Sequence, residues 1–226
     1  ASIQTGNFQS IVISESPASN NWTPERTLTI TGSSSGTTLQ YKIGSGSWTN
    51  YTTPIKLTSN VSVYARLTDG HNVTDSVTYA EDKVDTTGPE LVLGTLTSTT
   101  KSITIPIETN RDNESNIVST VCKINNQVVP ISNNSCTLSG LTFHETYPYE
   151  VVTTNGAGIT TTRSGNKETD NFGTIRITPS PAGDTYTLER TLTLSGTSAG
   201  TTLQYKIGSG SWTNYTTPFK INSNIN

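Results

Sequence analysis

The sequence predicts an all-β protein made of tandem sandwich modules, and three observations carry that prediction. Thr and Ser supply 71 of the 226 residues, charged residues make up only 14%, and Met is absent. Long helices draw on Ala, Leu, Glu and Lys, whereas strands favour the Thr, Val, Ile and Tyr found here. Short runs alternate apolar and polar residues with period two, and turn residues separate them at about 8–12 positions. Finally, the chain repeats itself: residues 7–62 align with 171–226 without a gap, at an offset of 164, with 37 of 56 positions identical. The stretch 36–54, GTTLQYKIGSGSWTNYTTP, recurs letter for letter as 200–218.

A period of 164 is too long for one solenoid unit of about 20–50 residues, so each period is read as two modules. The predicted domains are 1–87, 88–167 and 168–226. The first boundary falls at Asp85-Thr86-Thr87-Gly88-Pro89, where turn residues break the pattern. The second falls at the polar joint Asn166-Lys167-Glu168-Thr169-Asp170.

In the first module Ile11-Val12-Ile13 opens the strand series, followed by the alternating Thr27-Leu28-Thr29-Ile30 and Leu39-Gln40-Tyr41-Lys42-Ile43. Gly44-Ser45-Gly46 turns the chain, and Trp48-Thr49-Asn50-Tyr51 returns as the hairpin partner. Pro54 ends that hairpin. Ile55-Lys56-Leu57, Val61 to Leu67 and Val73 to Tyr79 bring the total to seven strands, the number expected of a sandwich. In the middle module Ser102 to Ile107 and Val118 to Ile124 read as early strands.

Two sets of residues carry a resemblance. Leu39-x-Tyr41, Gly46-x-Trp48-x-x-Tyr51-x-x-Pro54-Ile55 and Val63-x-Ala65-Arg66-x-x-Asp69-Gly70 resemble bacterial Ig-like repeat domains of the chitobiase C-terminal and OmpL47 types. Leu138-x-Gly140-Leu141, Glu145-Thr146-Tyr147, Tyr149-x-Val151 and Asn155-Gly156-Ala157-Gly158 resemble the second half of a fibronectin type III domain. The resemblance implies tandem Ig-like and fibronectin type III-like sandwiches, and accessory modules of secreted or surface proteins, with no catalytic residue to carry over. It makes Tyr147 the corner tyrosine, its hydroxyl tied to an upstream backbone group. The family places Pro-Gly in the corner loop, where this chain has Phe143-His144.

The second copy runs only to Asn226, the equivalent of Ser62, so it stops before the counterparts of the last two strands. Unpaired strand edges are avoided in natural sandwiches. The expectation is a fragment of a longer tandem array; clipping at a loop and strand donation from another copy are the alternatives.

Candidate chemistry is sparse. His71 sits in the predicted turn Asp69-Gly70-His71-Asn72 and His144 in the corner loop, so no Ser-His-Asp set converges and the chain reads as no enzyme. Glu81, Asp82 and Asp85 are the calcium candidates, clustered with Glu90 at the first joint after Asp69 and Asp75 in the preceding loop; solvated linker acids are the alternative. The second joint offers Glu168 and Asp170. Cys122 and Cys136, an even pair in a secreted-looking chain, point to one disulfide, with the intervening stretch folded as a hairpin about Asn125-Asn126-Gln127. Two buried thiols are the alternative. Trp48 and Tyr51, with their copies Trp212 and Tyr215, stand three apart on a strand and face opposite ways, so one is core. Trp22 and its copy Tyr186 are the ligand-stacking candidates.

The net charge of −3 is too small to steer nucleic acid, no apolar run reaches the ~18 residues of a membrane span, and no leader pattern opens the chain at Ala1. The expected function is a structural or adhesive stalk at a cell or virion surface, partnered by neighbouring modules and by a glycan or host-surface protein. The alternatives are a carbohydrate-binding accessory region of a glycan-active enzyme, and a filament or phage appendage subunit that self-assembles by strand exchange through the third module.

Overall fold

The computed structural model describes residues 9–222. It is all-β, with antiparallel sheets and no helix among the described residues. The chain divides into two compact units. The first takes in the described residues up to Leu91 with Thr109–Thr120 and Val152–Thr162; the second takes in Val92–Glu108, Val121–Val151 and the described residues from Arg163 onward.

The first copy of the repeat lies wholly in the first unit. Its strands are β1 (Gln9–Ser16), β2 (Arg26–Ser33), β3 (Thr38–Ile43), β4 (Thr49–Asn50), β5 (Ile55–Leu57), β6 (Ser62–Thr68) and β7 (Val73–Ala80). They form two sheets, ordered β1-β2-β5 and β4-β3-β6-β7. Alternation supplies the core: Leu28 and Ile30 of β2, Ile55 and Leu57 of β5, and Val63, Ala65 and Leu67 of β6 are buried in one cluster with Ile11. Tyr51 packs on this cluster and its hydroxyl accepts a hydrogen bond from Ile30 N–H at 3.1 Å. Trp48 lies outside, half-buried, with the Arg66 guanidinium 4.1 Å from its ring centroid. Asp75, expected in a loop, is instead a β7 residue, and its carboxylate accepts from Ile11 N–H at 2.9 Å.

The middle stretch contributes to both units. Its strands are β8 (Glu90–Leu93), β9 (Thr97–Ser98), β10 (Ser102–Arg111), β11 (Ile117–Ile124), β12 (Gln127–Val129), β13 (Ile131–Ser132), β14 (Ser135–Ser139), β15 (Thr146–Asn155) and β16 (Thr160–Glu168). One sheet is ordered β13-β14-β10-β8 with β9 beside β10; the other is β12-β11-β15-β16. Asn125-Asn126 and Asn133-Asn134 are two-residue turns with φ of 52° and 60°, and 47° and 53°. Positive φ at both central positions is the demand of the tight hairpin, and Asn meets it more readily than most residues.

A disulfide joins Cys122 of β11 to Cys136 of β14, both nearly fully buried. The hairpin about Asn125-Asn126 forms between β11 and β12, but the chain then crosses to the other sheet. The bond therefore clamps sheet to sheet within the second unit, across a sequence separation of 14.

The second copy lies in the second unit as β17 (Arg176–Ser180), β18 (Arg190–Ser195), β19 (Gln204–Tyr205), β20 (Thr213–Asn214) and β21 (Phe219–Ile221). Sheets β17-β18-β21 and β19-β20 match β1-β2-β5 and β3-β4 of the first copy.

Candidate functional site

The first copy carries one fully buried charge, Arg26, at the inward-facing start of β2. Buried guanidinium requires an acid and filled hydrogen-bond sites. Glu81 supplies the acid: Arg26 Nε donates to Oε2 at 2.7 Å, with side-chain exposures of 0% and 1%. The remaining N–H groups donate to the carbonyls of Pro17, Ala18 and Asn21. Glu81 also accepts from the Tyr79 hydroxyl at 3.0 Å and from Lys83 N–H at 2.9 Å. Burial pushes the Glu81 carboxyl up, but the hydrogen bonds from Arg26, Lys83 and Tyr79 outweigh it and hold it below the usual glutamate range. Tyr79 moves the other way: burial, then the adjacent Glu81 charge, raises its hydroxyl well above an ordinary phenol.

The segment bearing Glu81 is held along its length. Thr23 N–H donates to Lys83 O at 3.1 Å, Asp85 N–H donates to Thr23 O at 3.0 Å, and Val84 N–H donates to the Asn60 side chain at 2.7 Å. Sequence reasoning missed this seat and placed Glu81 among calcium candidates. The available signal was Arg26 itself, a charge in the inward register of Leu28 and Ile30.

The three calcium candidates do not converge. Glu81 is spent on Arg26, Asp82 is exposed, and Asp85 is buried elsewhere. Asp85 accepts from Ser115 Oγ at 2.6 Å, Asn155 Nδ2 at 2.9 Å, and the N–H and hydroxyl of Thr87, each at 2.9 Å. Burial raises its carboxyl, and these bonds bring it below the usual aspartate value. Asp112 and Glu114 stand close enough to share a cation with Asp85, within 4.8 Å. Asp112 is likewise drawn into the network, accepting from Ser115 N–H at 2.8 Å and Asn155 Nδ2 at 3.1 Å. Glu90 pairs with Arg111 at 2.7 Å on the surface. At the second joint Asp170 accepts from Ser98 Oγ at 2.6 Å, and Glu168 stands 2.6 Å from His144 Nδ1.

The other candidates separate as well. His71 is exposed in a turn held by Asp69, whose carboxylate is pulled below its usual range by the N–H groups of Asn72 and His71. Tyr147 Oη accepts from Thr142 N–H at 2.9 Å, five residues upstream. His144 takes φ 51°, a left-handed conformation that glycine adopts without steric cost. Trp22 is half-buried, whereas its copy Tyr186 is fully exposed.

Around Arg190, the copy of Arg26, the second repeat rebuilds half of the seat. Arg190 donates to the carbonyls of Pro181, Ala182 and Thr185, the counterparts of Pro17, Ala18 and Asn21. Thr187 Oγ1 donates to Glu189 O at 2.8 Å, as Thr23 Oγ1 does to Glu25 O at 2.7 Å. Arg190 is half-exposed and has no ion pair among the described residues. A cleft of about 510 Å³ opens there, lined by Gly183 to Arg190, Ile221 and Asn222.

No protein-family model matches this chain, and no curated protein matches it significantly.

Proposed function

We propose that this chain is a non-catalytic stalk region of an exported surface protein, built from tandem Ig-like and fibronectin type III-like sandwiches of the bacterial repeat type. The observation that carries the reading is the recurrence of one sandwich sequence at 164 residues, with a different disulfide-clamped sandwich sequence between the copies. A buried inter-sheet disulfide fits an oxidising compartment. Repeated modules serve as spacers, or as weak binding units multiplied by avidity. Antibodies against this region test the reading on the intact native source. Labelling of unbroken cells or particles is the expected result; labelling only after lysis overturns export.

A second reading, glycan binding, draws on exposed aromatics of the second copy, Tyr186 and Trp212, the latter 64% exposed. Glycan-array binding abolished by Tyr186→Ala or Trp22→Ala favours it, and absence of binding to any glycan removes it.

A further inference from the structure

We propose that the outer face of β3 and β6 in the first copy binds a polysaccharide whose sugar rings carry carboxylates. Strand register assembles that face. Val63, Ala65 and Leu67 of β6 point into the core, so Tyr64 and Arg66 point away from it. Cross-strand pairing sets Gln40 beside Arg66, Lys42 beside Tyr64, and Asn50 of β4 beside Gln40. Trp48, just before β4, joins them through its ring: the Arg66 guanidinium stands 4.1 Å and Lys42 Nζ 5.4 Å from its centroid. Lys42 Nζ also lies 4.8 Å from the centroid of Tyr64.

The two cations are held in place but not neutralised. Gln40 Nε2 donates to Asn50 Oδ1 at 2.9 Å, and Gln40 Oε1 accepts from Arg66 Nε and Nη2 at 3.0 and 2.9 Å. The amide fixes one edge of the guanidinium and leaves Nη1 without a protein acceptor among the described residues. Neither Lys42 nor Arg66 forms an ion pair among the described residues, whereas Lys56 of β5 and Lys123 of β11 each meet a glutamate, at 2.9 and 3.1 Å. The positions on β7 opposite Arg66 and Tyr64 carry no acid; they present exposed Ser76 and Thr78. A chain of net charge −3 thus places two unpaired positive charges between aromatic rings.

Each feature meets one part of an acidic sugar. The open end of the guanidinium and the ammonium pair with a carboxylate. The rings offer apolar surface to the apolar face of a sugar, and the Asn50 amide with the Ser76 and Thr78 hydroxyls bonds its hydroxyl groups. Nucleic acid fits less well, because its affinity rests on many phosphate contacts and this face has two cations. The repeat adds an independent observation. In the second copy Gln204 donates to Asn214 at 2.7 Å and Lys206 stands 5.4 Å from the Trp212 ring, so four of these outward residues recur with their contacts. Buried Ile30 and Ile55 have meanwhile become Leu194 and Phe219. Packing leaves the outward positions free to vary, yet they are unchanged where core positions are not.

The site is separate from Trp22 and Tyr186, and the test keeps the two apart. The full 226-residue chain is titrated with polygalacturonate, alginate and hyaluronan, with methyl-esterified polygalacturonate, and with single-stranded DNA. Saturable binding to an acidic polymer is expected, weakened about tenfold or more by Arg66→Gln and by Lys42→Met and unchanged by Trp22→Ala. If polygalacturonate is the polymer bound, its ester is expected to fail; that arm leaves the protein intact, so a misfolded variant cannot mimic the result. Binding to none of the three acidic polymers overturns the proposal, as does equal binding of polygalacturonate and its ester. Binding lost with Trp22→Ala but indifferent to Arg66→Gln also overturns it and favours the other aromatic site. Tighter binding of DNA than of any acidic polymer overturns it in favour of nucleic acid.

Discussion

In the first copy, Thr38–Ile43 is a strand of six residues; in the second, the same six letters at 202–207 give a strand of two, Gln204–Tyr205. The surrounding local contacts are nearly unchanged. Gln40 and Gln204 donate to Asn50 and Asn214 at 2.9 and 2.7 Å, and the Tyr41–Tyr51 and Tyr205–Tyr215 ring pairs are edge-on at 6.1 and 6.3 Å. Lys42 and Lys206 each stand 5.4 Å from the paired Trp ring. What differs is the neighbour: β3 is paired on its far side by β6, whereas among the described residues β19 pairs β20 alone. Side-chain contacts across a tight hairpin are encoded locally, whereas strand length and core burial depend on a sheet partner distant in sequence.

The largest expected separation between the copies is at the arginine. Glu81→Ala leaves Arg26 buried without its acid and is expected to cost about 3–5 kcal/mol. Arg190→Ala removes only partly solvated hydrogen bonds and is expected to cost under about 1 kcal/mol. Denaturant melts followed by segment-resolved hydrogen exchange measure both; equal costs would break the comparison. The Arg26–Glu81 pair itself need not be a large net stabiliser, since desolvation offsets much of its attraction. Its clearer consequence is that it fixes where the tail after β7 must lie.

Next come the core leucines. Leu28→Ala, at a fully buried site, is expected to cost about 2–5 kcal/mol, and Leu192→Ala distinctly less because its site is already half-open to water. Reduction of Cys122–Cys136 is expected to lower the stability of the middle stretch by about 3 kcal/mol, with exchange in β1 to β7 unaltered. Ser115→Ala is expected to cost about 1–3 kcal/mol by removing a buried hydrogen bond to Asp85.

Acid sharpens the comparison last. Glu81 and Asp85 have folded-state values below their ordinary 4.5 and 3.8. Their contribution is complete above those ordinary values and fades as pH falls below them toward the folded values. Exchange protection near Thr23 and Arg26 is therefore expected to weaken below about pH 4. Arg190, without a buried acid partner among the described residues, gives its surroundings no such step.

Much of the strand framework was legible. Sequence patterning located β3, β5, β6 and β7 to within one residue at each end and β2 to within three, because each buries one face only. The even cysteine count pointed to the disulfide, but not to its bridging of two sheets, since spacing says nothing of which sheet a strand joins. The calcium candidates were read from nearness in sequence. In the structure Glu81 turns to a residue 55 positions earlier and Asp85 to one 30 positions later.

The sequence by itself determined the all-β class, the repeat, the turn positions and the local hairpin contacts, because propensity, period-two patterning and turn chemistry act over a few residues. Tertiary structure alone decided that Arg26 is sealed by Glu81 and that the far edge of β3 is covered by β6. The physical reason is common to both: burying a charge or a strand edge needs partner groups brought from far along the chain.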